Sequence, residues 1–184
     1  MSNTATKRKL ERGLQSASTC ELSAGVNCRA PRSFESRSGL KPALLVIGYG
    51  NTLRGDDGVG PRVAEAVAAL NLPGVRTLAC QMLTPELADQ ISQARVAIFV
   101  DAAVDVPNEV QLRKLEPNDS SQLMAHAADP RTMLALARDV FGHAPQAWWL
   151  TIPAVNLDFC EELSPETQRG REEAVDMVRK LANG

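Results

Sequence analysis

Residues 42–61 read PALLVIGYGNTLRGDDGVGP, and this stretch decides the fold. An apolar run over residues 43–47 stops at Gly48. Gly50, Asn51, the acidic pair Asp56 and Asp57, and then Gly58 and Gly60 follow. After Pro61 the pattern turns helical, with Val59, Val63, Ala66, Val67 and Leu70 on one face. The unit is a strand, a tight glycine-lined loop and a helix. Such a loop sits at the carboxyl edge of a parallel sheet, where ligands bind. This one is acidic, so its expected ligand is a cation rather than a phosphate.

Beyond this unit, strands and helices alternate. Strands are expected over residues 75–80, 96–100 and 147–152, the last broken by Pro153, with an edge strand over 109–115. Thr84 followed by Pro85 is expected to open a short helix with Leu87, Ala88 and Ile91 inward. Asp129–Pro130 opens another by the same chemistry. Met133, Leu134, Ala137, Val140 and Phe141 face inward there, and Gly142 stops it. Ser164–Pro165 opens the last helix, with Ala174, Val175, Val178 and Leu181 on its apolar face. Trp148 and Trp149 fall on opposite faces of one strand, so both faces are covered. This alternation predicts an α/β fold, a three-layer α/β/α sandwich around a mostly parallel twisted sheet.

Composition narrows the function. The chain has 184 residues, of which 44% are hydrophobic, enough for one domain with a real core. Residues 1–41 carry eight Lys or Arg against three Glu and have no sustained period. They are expected to be a disordered extension outside the folded domain of residues 42–184. That domain holds twelve basic against nineteen acidic residues, which argues against nucleic acid as a partner. The longest apolar runs are too short to span a bilayer, so no membrane is expected. Cys20, Cys28, Cys80 and Cys160 form no C-x-x-C pair, and a reducing cytoplasm suits them.

Three side chains carry the chemistry. Asp57 lies at the first loop-to-helix junction, Asp101 directly after a buried strand, and His126 in the loop before the Pro130 helix. All three map to the carboxyl edge, and two carboxylates with an imidazole suit a divalent transition metal. Structural alternatives stand beside this reading. Either acid of the pair could cap the first helix, Asp101 could organise a turn, and His126 could be a solvated loop residue. Within the pair, Asp56 is placed on the outer side of the loop. His143 is read as a structural residue at a helix end, and Asp105 as solvated. A dinucleotide fingerprint fails because Leu53 holds its third glycine position. No phosphate-binding loop, nucleophile elbow or H-E-x-x-H helix is present.

The run Gly48-Tyr49-Gly50-Asn51-Thr52-Leu53-Arg54-Gly55-Asp56-Asp57-Gly58-Val59-Gly60 resembles the N-terminal signature of the hydrogenase maturation proteases. These endopeptidases trim the large subunit of [NiFe] hydrogenases. The resemblance continues through Thr84–Ala88, Phe99–Ala102, His126 with Pro130, Gly142–Pro145, Leu150–Pro153 and Glu161–Ser164, and spans about residues 43–182. It implies the same three-layer fold and an aspartic-type endopeptidase. It also implies nickel ligands at Asp57, Asp101 and His126, with Asp57 and Asp101 catalytic, and a loop scaffold of Gly48, Gly50, Asn51, Gly58 and Gly60. Nickel would arrive in the precursor of a hydrogenase large subunit, which is the implied partner, and the protein would act as a monomer. Cys160 stands where the family pattern has glycine, and Ala125 where a small hydroxyl residue is common. Two rivals share the residues. A nickel chaperone would use the same ligands without cleavage. A phosphoacceptor receiver domain would need a lysine after a late strand, and residues 150–153 supply none.

Overall fold

A computed structural model describes residues 43–104, 106–107, 109–119 and 129–183. The expectations for residues 1–41, Asp105, Ala125 and His126 therefore lie outside the described residues. Strands β1 (Leu44–Tyr49), β2 (Val75–Cys80), β3 (Val96–Ala103), β4 (Gln111–Leu115) and β5 (Gln146–Pro153) form one sheet in the order β2-β1-β3-β5-β4. Only β4, at the edge, runs antiparallel. Helices α1 (Val59–Ala69) and α4 (Pro165–Asn183) cover one face, and α2 (Leu87–Ser92) and α3 (Pro130–Phe141) the other. The three-layer α/β/α sandwich expected from the alternation is the observed architecture.

Strand parity explains the two cores. Leu45, Ile47, Ala97, Phe99 and Ala147 pack beneath α2 and α3 with Trp149 beside them. Leu44, Val46, Ile98, Val100, Leu150 and Ile152 pack beneath α1 and α4 with Trp148. Side chains alternate across a strand, so each apolar run feeds both layers.

Several boundaries differ from the sequence expectation. β1 continues through Gly48 to Tyr49, because pairing on both sides carries it past the glycine. β3 runs beyond Val100, so Asp101 lies within the strand rather than after it, paired with Thr151. Pro153 is in β5 rather than breaking it. Ala154 donates to Ala103, so by alternation the missing proline donor faces the other side, where β4 pairing ends at Thr151. α2 starts at Leu87, with Glu86 at its cap position and no side-chain cap; Thr84 contributes its carbonyl to Leu87. The Asp129 cap is as expected, its carboxylate accepting from the Arg131 amide, and Gly142 ends α3 in the left-handed region. Val140, Phe141, Leu181 and Leu70, expected inward from their spacing, are exposed at or just past helix ends.

Candidate functional site

Strand order places a switch point between β1 and β3. The chain leaves β1 toward β2 on one side, while β3 leads toward β5 and β4 on the other. The crevice at the carboxyl ends of two such strands is where α/β sheets bind ligands. α1 is seated tightly over it. A Cβ on Gly48 would lie 1.9 Å from the Gly60 carbonyl oxygen, and one on Gly60 within 2.5 Å of the Tyr49 and Val100 carbonyl oxygens. Only glycine permits that approach.

The loop between β1 and α1 folds back on itself. Gly50, at φ 137°, starts the reversal. The Asn51 amide donates to Asp57 Oδ2 at 2.8 Å, and the Asn51 side chain accepts from the Leu53 amide. Residues Gly55–Gly58 then make one 3-10 turn into α1, whose cap position is Gly58 without a side-chain cap. Neither acid caps the helix as the structural alternative supposed. Asp57 is half-buried and holds the loop through Asn51.

Asp56 is not on the outer side of the loop, as the sequence reading had it. It is fully buried. One carboxylate oxygen accepts from the Ser164 amide at 2.7 Å. The other accepts from the Val155 and Asn156 amides and the Ser164 hydroxyl, at 2.8–2.9 Å. Burial raises its pKa, but these donors outweigh that and hold the carboxyl below the usual range. The partners lie up to 108 residues away, out of sight of any local pattern. Gly55 also donates to the Cys160 carbonyl at 2.7 Å, and Arg54 pairs with Cys160 in a parallel bridge. The position expected to carry glycine is thus used through its backbone.

Asp101 sits on the α2–α3 face, one strand from Tyr49. The Tyr49 hydroxyl donates to Asp101 Oδ2 at 2.8 Å. Burial, with a smaller contribution from the Asp57 charge, pushes the Asp101 carboxyl up to about 6, against the hydrogen bonds from Tyr49 and Ala102. Burial and the Asp101 charge raise the Tyr49 phenol, so it stays a proton donor. On the other flank, Thr151 is buried, and its hydroxyl has no partner among the described residues. The Trp149 indole nitrogen is buried without a well-formed hydrogen bond, close enough to Tyr49 to favour its ionised form. Sequence reading missed Tyr49 and Thr151. Their signal was the period of two that continues Leu45–Ile47 to Tyr49 and Ala147–Trp149 to Thr151.

Asp57 and Asp101 therefore come together at the switch point. His126 lies outside the described residues, which include no cluster of three metal-binding side chains. His143 meets the Ala94 carbonyl at 3.3 Å, away from the crevice and in a structural position.

The three-layer fold with this edge is the fold of the [NiFe] hydrogenase maturation proteases, hydrolases acting on peptide bonds, which this chain resembles. Solved structures of that group superpose on this chain. The HybD maturation protease from Thermococcus kodakarensis is 25% identical with a TM-score of 0.58, over 76% of this chain and 98% of that one. A hydrogenase 2 maturation peptidase from an archaeon of the Thaumarchaeota is 28% identical, with a TM-score of 0.56 over 75% and 96%. The Escherichia coli HybD endopeptidase, at 21% identity and a TM-score of 0.58 over 73% and 88%, shares the fold. No protein-family model and no curated protein matches the chain. No helix among the described residues is long and apolar enough to cross a membrane.

Proposed function

We propose that this protein is an endopeptidase that removes the C-terminal peptide from the precursor of a [NiFe] hydrogenase large subunit after nickel is loaded. The observation that carries this reading is the pairing of Asp57 and Asp101 across the switch point, one held by the Asn51 amide and the other by the Tyr49 hydroxyl. Asp57, Asp101 and His126 are the proposed ligands that complete the coordination of nickel held in the precursor. The metal is part of the substrate, so cleavage waits for a loaded precursor.

Water is the nucleophile. In the metal-free site the Asp101 carboxyl, raised to about 6 by burial, is mostly ionised at neutral pH and can accept either a metal ion or a proton. One carboxylate of the Asp57–Asp101 pair takes the proton of the attacking water and returns it to the leaving amine. The protein works in the cytoplasm as a monomer.

The test incubates the full chain with nickel-loaded and nickel-free precursor and follows precursor mobility on a gel. The expected result is a shorter product with nickel only. Nickel-dependent binding without any shortening would replace the protease by a nickel chaperone.

A further inference from the structure

The carboxyl edge of the sheet carries an apolar rim. Leu53 follows β1, Met82 follows β2, Val104 follows β3, and Val155 and Phe159 follow β5; all five are exposed, Phe159 at 84% and Val155 at 63%. Their loops leave four adjacent strands, which at about 4.8 Å per strand span roughly 15 Å around the Tyr49–Asp101 crevice. The parallel bridge between Arg54 and Cys160 sets Leu53 beside Phe159.

The two loops that carry Leu53, Val155 and Phe159 are tied to each other. Asp56 ties Val155, Asn156 and Ser164 to the first loop. Arg54 donates to the Leu157 carbonyl, and Arg62 of α1 donates to the Glu161 carbonyl. Apolar side chains on pre-ordered loops lose little freedom when a partner covers them. Exposed Glu86, Asp158, Glu161 and Glu162 share this edge, with Arg54 as their exposed basic neighbour. A metal ion or small molecule would use the crevice floor and leave the rim in water. A polypeptide would cover both.

We propose that Leu53, Met82, Val104, Val155 and Phe159 form the docking surface for the protein substrate, which meets it with apolar side chains flanked by basic ones. The proposal rests on the protease reading, and its test separates the two. The double variant Val155→Ser/Phe159→Ser is compared with Val140→Ser/Phe141→Ser, which alters exposed apolar residues at the opposite edge. The probe is the nickel-loaded large-subunit precursor from the same organism. Its Kd is measured by calorimetry and its cleavage by steady-state kinetics, with sedimentation velocity on each protein alone.

The rim variant should melt like wild type, weaken Kd and raise KM by about tenfold or more, and leave kcat within about twofold. The opposite-edge variant should match wild type throughout. Binding that weakens in the rim variant while wild type cleaves nothing keeps the docking surface and removes the protease. Cleavage with unchanged Kd and KM in the rim variant overturns the docking surface alone. A wild-type dimer that the rim variant dissociates, with precursor affinity unchanged, assigns the rim to a second copy of this chain and overturns the proposal. Failure of wild type to bind the precursor overturns both.

Discussion

The Tyr49 hydroxyl donates a 2.8 Å hydrogen bond to Asp101 Oδ2, from β1 to β3, across the switch point of the sheet. This bond, with one from the Ala102 amide, lowers an otherwise burial-raised pKa. Tyr49→Phe keeps the ring and removes the donor. The acidic limb of the cleavage-rate profile should move to higher pH, with the melt changed by no more than about 1–3 kcal/mol for one charge-assisted bond. An unchanged limb, measured from pH 5 to 8, would show that the tyrosine does not act on Asp101.

Asp101→Asn should be inactive yet more stable than wild type at neutral pH. The folded-state pKa of Asp101 is raised, so its protonation favours the native state. That stability is complete below the ordinary carboxylate value and is lost as pH rises through about 6. Removing the charge spares the folded protein up to about 3 kcal/mol at pH 7, an upper bound from a shift of about two pKa units. Chemical denaturation at pH 4 and pH 7 checks it. The gain should appear at pH 7 and vanish at pH 4.

The adjacent acids should separate cleanly. Asp57→Asn can still accept from the Asn51 amide, so it should melt near wild type and fail to process a nickel-loaded precursor. Asp56→Asn sets an amide donor against one of the donors now facing Asp56. It should cost about 2–4 kcal/mol and spare cleavage per folded molecule. Because the Asp56 pKa is depressed, its contribution is present above the ordinary carboxylate value and is lost as pH falls below it through the lower folded-state value. A thermal melt beside a cleavage gel settles the pair. Normal processing by Asp57→Asn would take that carboxylate out of the site.

Nickel should bind the free protein weakly, with affinity falling below about pH 6 as Asp101 and an ordinary histidine take up protons. His126→Ala should weaken binding in a calorimetric titration at pH 7.5. Equal affinities for the two proteins would remove His126 from the ligand set.

A chain beginning at Lys41 should fold and cleave like the full chain, since residues 1–40 have no apolar period and no proposed ligand. Equal molar helicity per residue of the domain and equal cleavage rates are the expected readings. Loss of either would give the extension a role.

Much of the fold was legible because its strands are short apolar runs between helix caps. The β2 run needed only its β-branched and apolar residues, and α3 its Asp129 cap and Gly142 stop. The misreadings of β3 and of Asp56 share one cause, a partner remote in sequence. β3 carries on through Asp101 because Thr151–Pro153 lies alongside. Asp56 and Asp57 are neighbours with equal chemistry, and only the distant amides of Val155, Asn156 and Ser164 distinguish the buried one. Tyr49 looked like the end of a run because Gly48 precedes it, yet close packing against Gly60 is what that glycine permits.

The four bonds to Asp56 also set an order of assembly. Its partners lie 99 to 108 residues further along the chain. During synthesis β1, β2 and β3 exist before Val155 does, and the loop bearing Asp57 then has nothing to close against. Contacts of such long sequence separation are late and slow to form. The crevice edge is therefore completed only after residues 155–164 have been made, and a shorter chain lacks the donors that hold the loop bearing Asp57.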